Sequence, residues 1–290
     1  MRVAVTGTTG FLGGAIATVL RARGHELIAL DRAATGDLAA VVDWPAHLAR
    51  ADAVVHLAAL AHARGVNEAR LRAVNAEASA AIGQAAAAAG IPMLFMSTVK
   101  VLGEETPGAA FDERSPLAPQ DAYARAKAAA EVSLRAIAGL RLTVLRPPLV
   151  YGPGVRANFL ALLRAVARGW PLPLAAVDNR RSLVGARNLA DAVARCLESR
   201  AAEGRSYGVT DGAPVSTPAL CCALAAALGR KARLFALPPA LLELAPAARR
   251  LTRSLVLDDG ALRRELGWTP PHPFEEELRR TAEWFRAQGG

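Results

Sequence analysis

The sequence predicts an α/β fold, a doubly wound and mainly parallel sheet with a smaller C-terminal lobe. Three observations predict it. RVAVTG, GTTGFLGGAIATVLRARG and HELIALDR read in succession as buried strand, glycine turn opening a helix, and second strand, a βαβ unit. Strand and helix patterns then alternate to about residue 150, which implies parallel strands joined by crossover helices. Beyond residue 152 the alternation loosens, as it would where a second lobe is added.

Each element follows from local signals. After a short polar segment and DWPAHLARA, DAVVHLAA is a strong strand and residues 67–89 an alanine-rich helix. Gly90 ends that helix, and Pro92 restricts the entry into the strand IPMLFMST. A loop rich in Pro, Gly and acidic residues leads to the helix DAYARAKAAAE, followed by LRLTVLRPPLVYGPG, a strand running into a rigid turn. Further on come a helix over 158–168, a strand over 182–184, a helix over 188–199 and a strand at RSYGVTD. The final 80 or so residues predict a helix after Ser216, a strand at ARLFAL, a proline-initiated helix, and two short helices at DDGALRRELG and PFEEELRRTAEWF. We divide the chain into a dinucleotide-binding domain over 1–152 and a mainly substrate-binding lobe over 153–290, with about 182–210 returning to the first domain.

Composition narrows the function classes. With 52% hydrophobic and 21% charged residues the chain is globular rather than disordered. Val3 to Leu20 carry no charge, but four glycines and four threonines interrupt them, so we read no signal peptide there. LFALPPALLELAPAA is too short for a membrane span and contains Glu243 and three prolines. The expectation is a cytoplasmic protein without membrane insertion. Cys196, Cys221 and Cys222 have no disulfide-like or metal-ligand spacing, and the five histidines are scattered, so no metal is expected. The net charge of +9 suits an anionic ligand; dispersed pairs such as Arg180 and Arg181 lack the basic tracts of a nucleic-acid binder.

Gly7, Gly10 and Gly13 form GxxGxxG between a strand and a helix, where backbone must approach a pyrophosphate closely and helix amides must face it. This makes the first domain Rossmann-type. Asp31 closes the second strand 18 residues past Gly13, where a carboxylate accepts the ribose hydroxyls and repels a 2′-phosphate. It favours NAD, while Arg32 beside it keeps NADP as the alternative. Asp43 follows the short third segment and is a candidate adenine contact. Ala58 and Ala59 in HLAALA allow close cofactor approach, and His56 reads as a satisfied strand-end histidine rather than a catalytic one.

Only three of the 35 basic residues are lysines, and only three residues are tyrosines. At random, some tyrosine would have a lysine four residues on with a chance of about 3%, yet Tyr123 and Lys127 are so spaced and share one helix face. A tyrosine, with pKa near 10, needs a neighbouring positive charge to transfer protons near neutrality, and Lys127 supplies one. Ser97 and Thr98 end a parallel strand, where such folds bind ligands.

Together, TGTTGFLG, HLAA, the hydroxyl pair, YARAK and LRPPLVYGPG resemble the extended short-chain dehydrogenase/reductases, in particular the NAD-dependent epimerase/dehydratase branch that acts on nucleotide sugars. The resemblance implies Thr98, Tyr123 and Lys127 as catalytic triad. It implies a cofactor site of Gly7, Thr9, Gly10, Phe11, Leu12, Gly13, Asp31, Arg32, Asp43, Leu57, Ala58, Ala59, Asn75, Tyr123, Lys127 and Pro147. Asn158, Arg181 and Arg253 would meet the nucleotide sugar, the arginines at its diphosphate, where a bidentate fork suits phosphate. It also implies a homodimer formed through the helices at 67–89 and 121–138.

Two departures stand out. The family's YGxSK has Ala124 and Ala126 here, which preserves the Tyr-to-Lys spacing. Sugar 4,6-dehydratases of the branch carry acidic groups directly after the threonine, whereas this chain has Val99 and Lys100, which argues against dehydration. STVKVLGE, GPGVRANF and RSLVLDD further resemble bacterial reductases of UDP-4-keto-6-deoxy-N-acetylhexosamines, and Lys100 becomes a candidate substrate contact. The reaction expected first is 4-ketoreduction of such a UDP-linked sugar. The alternatives are 4-epimerisation of UDP-glucose or UDP-N-acetylglucosamine and a noncatalytic dinucleotide-binding protein.

Overall fold

In the computed structural model, which describes residues 1–61 and 65–289, the main sheet has six parallel strands. They are β1 (Arg2–Thr6), β2 (Glu26–Leu30), β3 (Ala53–His56), β4 (Met93–Met96), β5 (Leu142–Arg146) and, after β6 (Leu149–Tyr151) and β7 (Leu183–Gly185) elsewhere, β8 (Ser206–Gly208). Their spatial order is β2-β1-β3-β4-β5-β8. The order reverses between β1 and β3, so the crevice at the carboxyl ends of these two strands is where such a sheet takes its ligand.

Side-chain alternation places a packed layer on each face. Val3 and Val5 point into a cluster with Ile16 and Leu20 of the Phe11–Ala22 helix and Leu189 and Val193 of the Ala186–Leu197 helix. Ala4, Val54 and Phe95 point the other way, toward Trp44, Ile82 and Leu134. On that second face the Ala78–Ala88 and Ala122–Arg135 helices approach closely because Gly83 lacks a side chain; a Cβ there would lie 2.4 Å from Leu134 Cδ2. The two helices expected to form a homodimer thus pack closely against each other within the chain.

The catalytic helix expected around Tyr123 runs Ala122–Arg135 and is N-capped by Asp121, which accepts from the Ala124 amide at 2.7 Å. A buried pair binds it to the sheet. Arg146 Nε and Nη2 donate to Glu131 at 3.1 and 2.7 Å, and Ser97 Oγ donates to Glu131 Oε1 at 2.5 Å. One carboxylate therefore ties the helix to β5 and to the loop after β4.

Several elements differ from expectation. The strand foreseen at 182–184 is β7, one residue later, and it pairs in parallel with β6 as a separate two-stranded sheet instead of joining the main one. β6 itself was hidden in the proline-rich turn. ARLFAL forms no strand, only a single bridge between Leu172 and Leu234, because it lies at the lobe surface with one neighbouring segment and Phe235 48% exposed. The helix foreseen at 67–89 is Glu68–Arg72 and Ala78–Ala88 joined by a π-turn at Ala73–Glu77. The last helix, Phe274–Ala287, has 14 residues and is not short.

The lobe gathers Tyr151, Phe159, Leu163, Leu220, Leu224 and Leu278 into its own core. Asp211 anchors the lobe to the first domain: it accepts from Tyr151 Oη at 2.7 Å, from the Gly185 amide and from Asn188 Nδ2. No helix among the described residues is long and apolar enough to cross a membrane.

Removing one partner of a buried ion pair leaves the other charge desolvated, so Glu131→Ala should destabilise the protein by about 3–5 kcal/mol. Urea denaturation of both proteins measures the difference.

Candidate active site

The glycine turn is built by contacts that no side chain could share. Gly7 has φ +75° and sits so close to the loop after β3 that a Cβ would stand 2.9 Å from the Ala58 amide nitrogen. At Gly13 a Cβ would fall 2.3 Å from the Gly7 carbonyl oxygen. Gly10 is the N-cap of the Phe11–Ala22 helix, which has no acidic residue in its first turn to compete with a phosphate. This is the cradle a dinucleotide pyrophosphate requires. Thr9 is exposed beside it, Leu12 and Leu57 pack against the core beneath it, and Phe11 approaches Gly154 of the lobe.

A directed hydrogen-bond chain fixes the facing loop. The Leu57 and Ala58 amides donate to Thr6 Oγ1, each at 3.2 Å, and Thr6 Oγ1 lies 2.6 Å from His56 Nδ1. His56 Nε2 lies 2.9 Å from Ser79 Oγ, which donates to the Asn75 carbonyl. Because that carbonyl can only accept, the donors run one way: Thr6 to His56 Nδ1, His56 Nε2–H to Ser79, Ser79 to Asn75. His56 is therefore neutral with its proton on Nε2. Burial, reinforced by the charge of Lys127, pulls its pKa down to about 3. Asn75 closes the loop: its side chain accepts from the Leu60 amide at 2.8 Å and donates to the Leu60 carbonyl at 3.2 Å. It is fully buried, and it stands in the π-turn.

Asp31 follows β2 and accepts the Ala33 and Ala34 amides through Oδ1, with Arg32 exposed beside it. Asp43 accepts the Ala46 amide as cap of the Trp44–Leu48 helix. Pro147 is buried at the end of β5, and its carbonyl takes the Val99 amide at 2.9 Å, so β5 braces the loop that carries Thr98. Ala59 lies in the loop that Asn75 clamps.

The Lys127 charge expected to bring the Tyr123 pKa toward neutrality does not do so: partial burial, followed by the charge of Asp121, pushes it up to about 12. Lys127, one turn on, is 1% exposed with Nζ 3.8 Å above the centre of the Phe95 ring. Burial pulls its pKa down to about 7, against the opposing charge of Glu131. Thr98 starts a short 3-10 turn, its Oγ1 accepting the Lys100 amide at 3.3 Å. Lys100 itself lies between Glu104 and Asp121, at 2.6 and 2.5 Å, so two carboxylates of the chain hold the cation that the sequence offered to substrate.

In the lobe, Arg181 is the crossing point of three segments, bridging Val215 and Leu255 through its backbone and reaching the Arg253 carbonyl with Nη1 at 2.8 Å. The two arginines, 72 residues apart, are thus neighbours. Burial lowers the Arg181 pKa, whereas hydrogen bonding to Glu243 raises that of Arg253. Asn158 is exposed in the Ala157–Ala167 helix, just after Ala157, which has φ +52°. Sequence reasoning missed Thr6, Ser79, Glu104, Asp121 and Glu131. Of these, Asp121 before the helix and Glu131 four residues past Lys127 carried a readable local signal.

A parallel sheet with a glycine cradle at its switch point, and a tyrosine and lysine one helical turn apart, define an oxidoreductase-type enzyme of the dinucleotide-dependent class. The model of the NAD dependent epimerase/dehydratase family matches residues 3–209, and the chain belongs to that family, within the extended short-chain dehydrogenase/reductases. It is 32% identical to a UDP-glucose 4-epimerase of Vibrio cholerae over 98% of this chain and 95% of that one. It is also 32% identical to a 3-diazoavenalumate denitrifying reductase of a Streptomyces species, over 94% of this chain and 97% of the other. The crystal structure of Thermus thermophilus UDP-glucose 4-epimerase in complex with NAD superposes with a TM-score of 0.79 at 28% identity, covering 99% of both chains.

Lys127 gives a pH prediction. Its folded-state pKa lies below the unfolded value of 10.5, so its charge opposes folding fully below pH about 7, and the penalty fades as pH rises toward 10.5. Lys127→Met should therefore melt at a higher temperature than the native protein at pH 6, with the gap closing by pH about 10. Calorimetric melting of the cofactor-free proteins across that range checks it.

Proposed function

We propose that this protein is a nucleotide-sugar 4-ketoreductase, acting on a UDP-4-keto-6-deoxy-N-acetylhexosamine. The observation that carries the reading is the Tyr123 and Lys127 pair without a free acid after Thr98. Val99 is buried, Lys100 is a cation, and the carboxylates nearest to it, Glu104 and Asp121, are both bound to it. Nothing in that turn is placed to remove a second sugar proton, as dehydration would require.

When bound in reduced form, the nicotinamide would supply hydride to C4. Tyr123, kept protonated across the neutral range, donates its phenolic proton to the C4 oxygen. Lys127 stabilises the phenolate left behind, and Thr98 orients the carbonyl by hydrogen bonding. Arg181 and Arg253 take the diphosphate, with Asn158 beside the sugar nucleotide. Asp31 supports NAD over NADP, since its carboxylate would meet a 2′-phosphate with like charge; Arg32 is what supports NADP.

A second reading is reversible 4-epimerisation of UDP-glucose or UDP-N-acetylglucosamine, favoured by the relatives named UDP-glucose 4-epimerases. The same triad would serve, with dinucleotide returned to its starting state each cycle.

Incubation with the UDP-4-keto sugar and NADH or NADPH should show net loss of nicotinamide absorbance, and Tyr123→Phe should lower turnover by about 10²–10⁴-fold. Absence of turnover with both dinucleotides defeats the reductase reading. Interconversion of UDP-glucose with no net dinucleotide consumption establishes the epimerase.

A further inference from the structure

At the C-terminal end of the catalytic helix, against edge strand β8, lies a cavity of about 480 Å³ lined by Arg114, Arg135, Arg146, Arg205 and Ser206. None of the residues assigned above to dinucleotide, sugar or diphosphate lines it. Arg146 is the informative member. It is only 5% exposed, Glu131 takes its Nε and Nη2, and its Nη1 is buried without a hydrogen-bond partner among the described residues. A buried guanidinium N–H left unpaired is costly, and an acceptor entering the cavity would relieve that cost.

The surrounding charges favour an anion. Arg135 Nη2 reaches over to Ser206 Oγ on β8, which brings its guanidinium to the same wall. Two carboxylates also face the cavity, and both have partners. Glu265 accepts from Tyr207 Oη at 2.8 Å and lies 3.4 Å from Arg205, and Glu113 lies 3.8 Å from Arg114. Four guanidiniums thus stand against two engaged carboxylates, with Glu131 behind Arg146 neutralising one more. Planar forks in this number match the tetrahedral oxygens of phosphate better than a single carboxylate.

We propose that this cavity is a second anion site that takes the phosphate of a small phosphorylated molecule, separate from the dinucleotide and sugar sites. Its phosphate oxygens meet Arg146 Nη1 and the Arg135 guanidinium, and the remaining volume accommodates the group that carries the phosphate. Since Arg146 also holds Glu131, one turn from Lys127, an occupant lies one side chain away from the catalytic helix.

The test is calorimetric titration of the full chain, saturated with NAD, with pyrophosphate. With UDP present to fill the Arg181 and Arg253 site, saturable binding is expected, weakened about tenfold or more by Arg135→Gln or Arg205→Gln. The first two side chains are 42% and 60% exposed, and Arg114, at 87%, gives a third variant that folding does not depend on. Parallel titrations with inorganic phosphate, a sugar phosphate and a nucleoside triphosphate distinguish the sources of the phosphate. Lack of saturable binding by the native protein, or binding lost in Arg181→Gln but untouched by the other variants, overturns the proposal. So does tighter binding of citrate than of every phosphate compound.

Discussion

The architecture of the site depends on how closely the turn after β1 meets the loop after β3. A dinucleotide cradle needs bare backbone on both sides, and bare backbone has no side chains with which to hold its own position. The chain from the Leu57 and Ala58 amides through Thr6, His56 and Ser79 to Asn75 supplies that hold from beneath. Each member donates in one direction and every polar atom along it is used, so the histidine has one permitted tautomer and the loop one position. The two faces of the chain meet at Gly7, where even a methyl group would collide with Ala58.

The helix that carries Tyr123 and Lys127 faces a different constraint: the Lys127 ammonium is buried, and burial opposes charge. The fold answers with several interactions at once. Phe95 offers its ring face to the ammonium and is itself stacked on His56, so the neighbouring strands β3 and β4 together support the loop after β3 and Lys127. Glu131 contributes a negative charge one turn below, and that charge is kept in place by Arg146 and Ser97. At the other end of the helix Asp121 caps the backbone while bound to Lys100, so the first turn, which bears Tyr123, is fixed by a cap that is itself neutralised.

The lobe is coupled to this centre through polar residues as well as a shared core, in which Leu255 and Leu257 pack with Val99, Val101 and Ala128. Asp211 gathers the hydroxyl of Tyr151, the amide that opens the Ala186–Leu197 helix and the side chain of Asn188. Burial raises the pKa of this carboxyl, with its hydrogen bonds pulling the other way. Arg181 belongs to the same logic, since its backbone crosses three segments while its side chain reaches the neighbourhood of Arg253. A substrate held by these arginines would therefore rest on the junction that organises the lobe.

The sequence by itself determined the parallel α/β class, the glycine turn, the Tyr123 and Lys127 pair and the family. These are local features: a period, a spacing and a turn that needs glycine are written in consecutive residues. The sequence also left traces of Asp121 as a helix cap and of Asn75 as a residue of the site. Tertiary structure alone decided that Asn75 clamps Leu60 through a π-turn, that β7 pairs with β6, and that His56 serves as a fixed hydrogen-bond link. It alone decided that Lys100 belongs to Glu104 and Asp121, and that four arginines distant in sequence share one cavity. The physical reason is that hydrogen bonds and ion pairs act over a few ångströms in space, and apart from Lys100 and Glu104 their partners here are 15 to 72 residues apart in sequence. No local pattern records such a distance; only the closed fold brings the partners within reach.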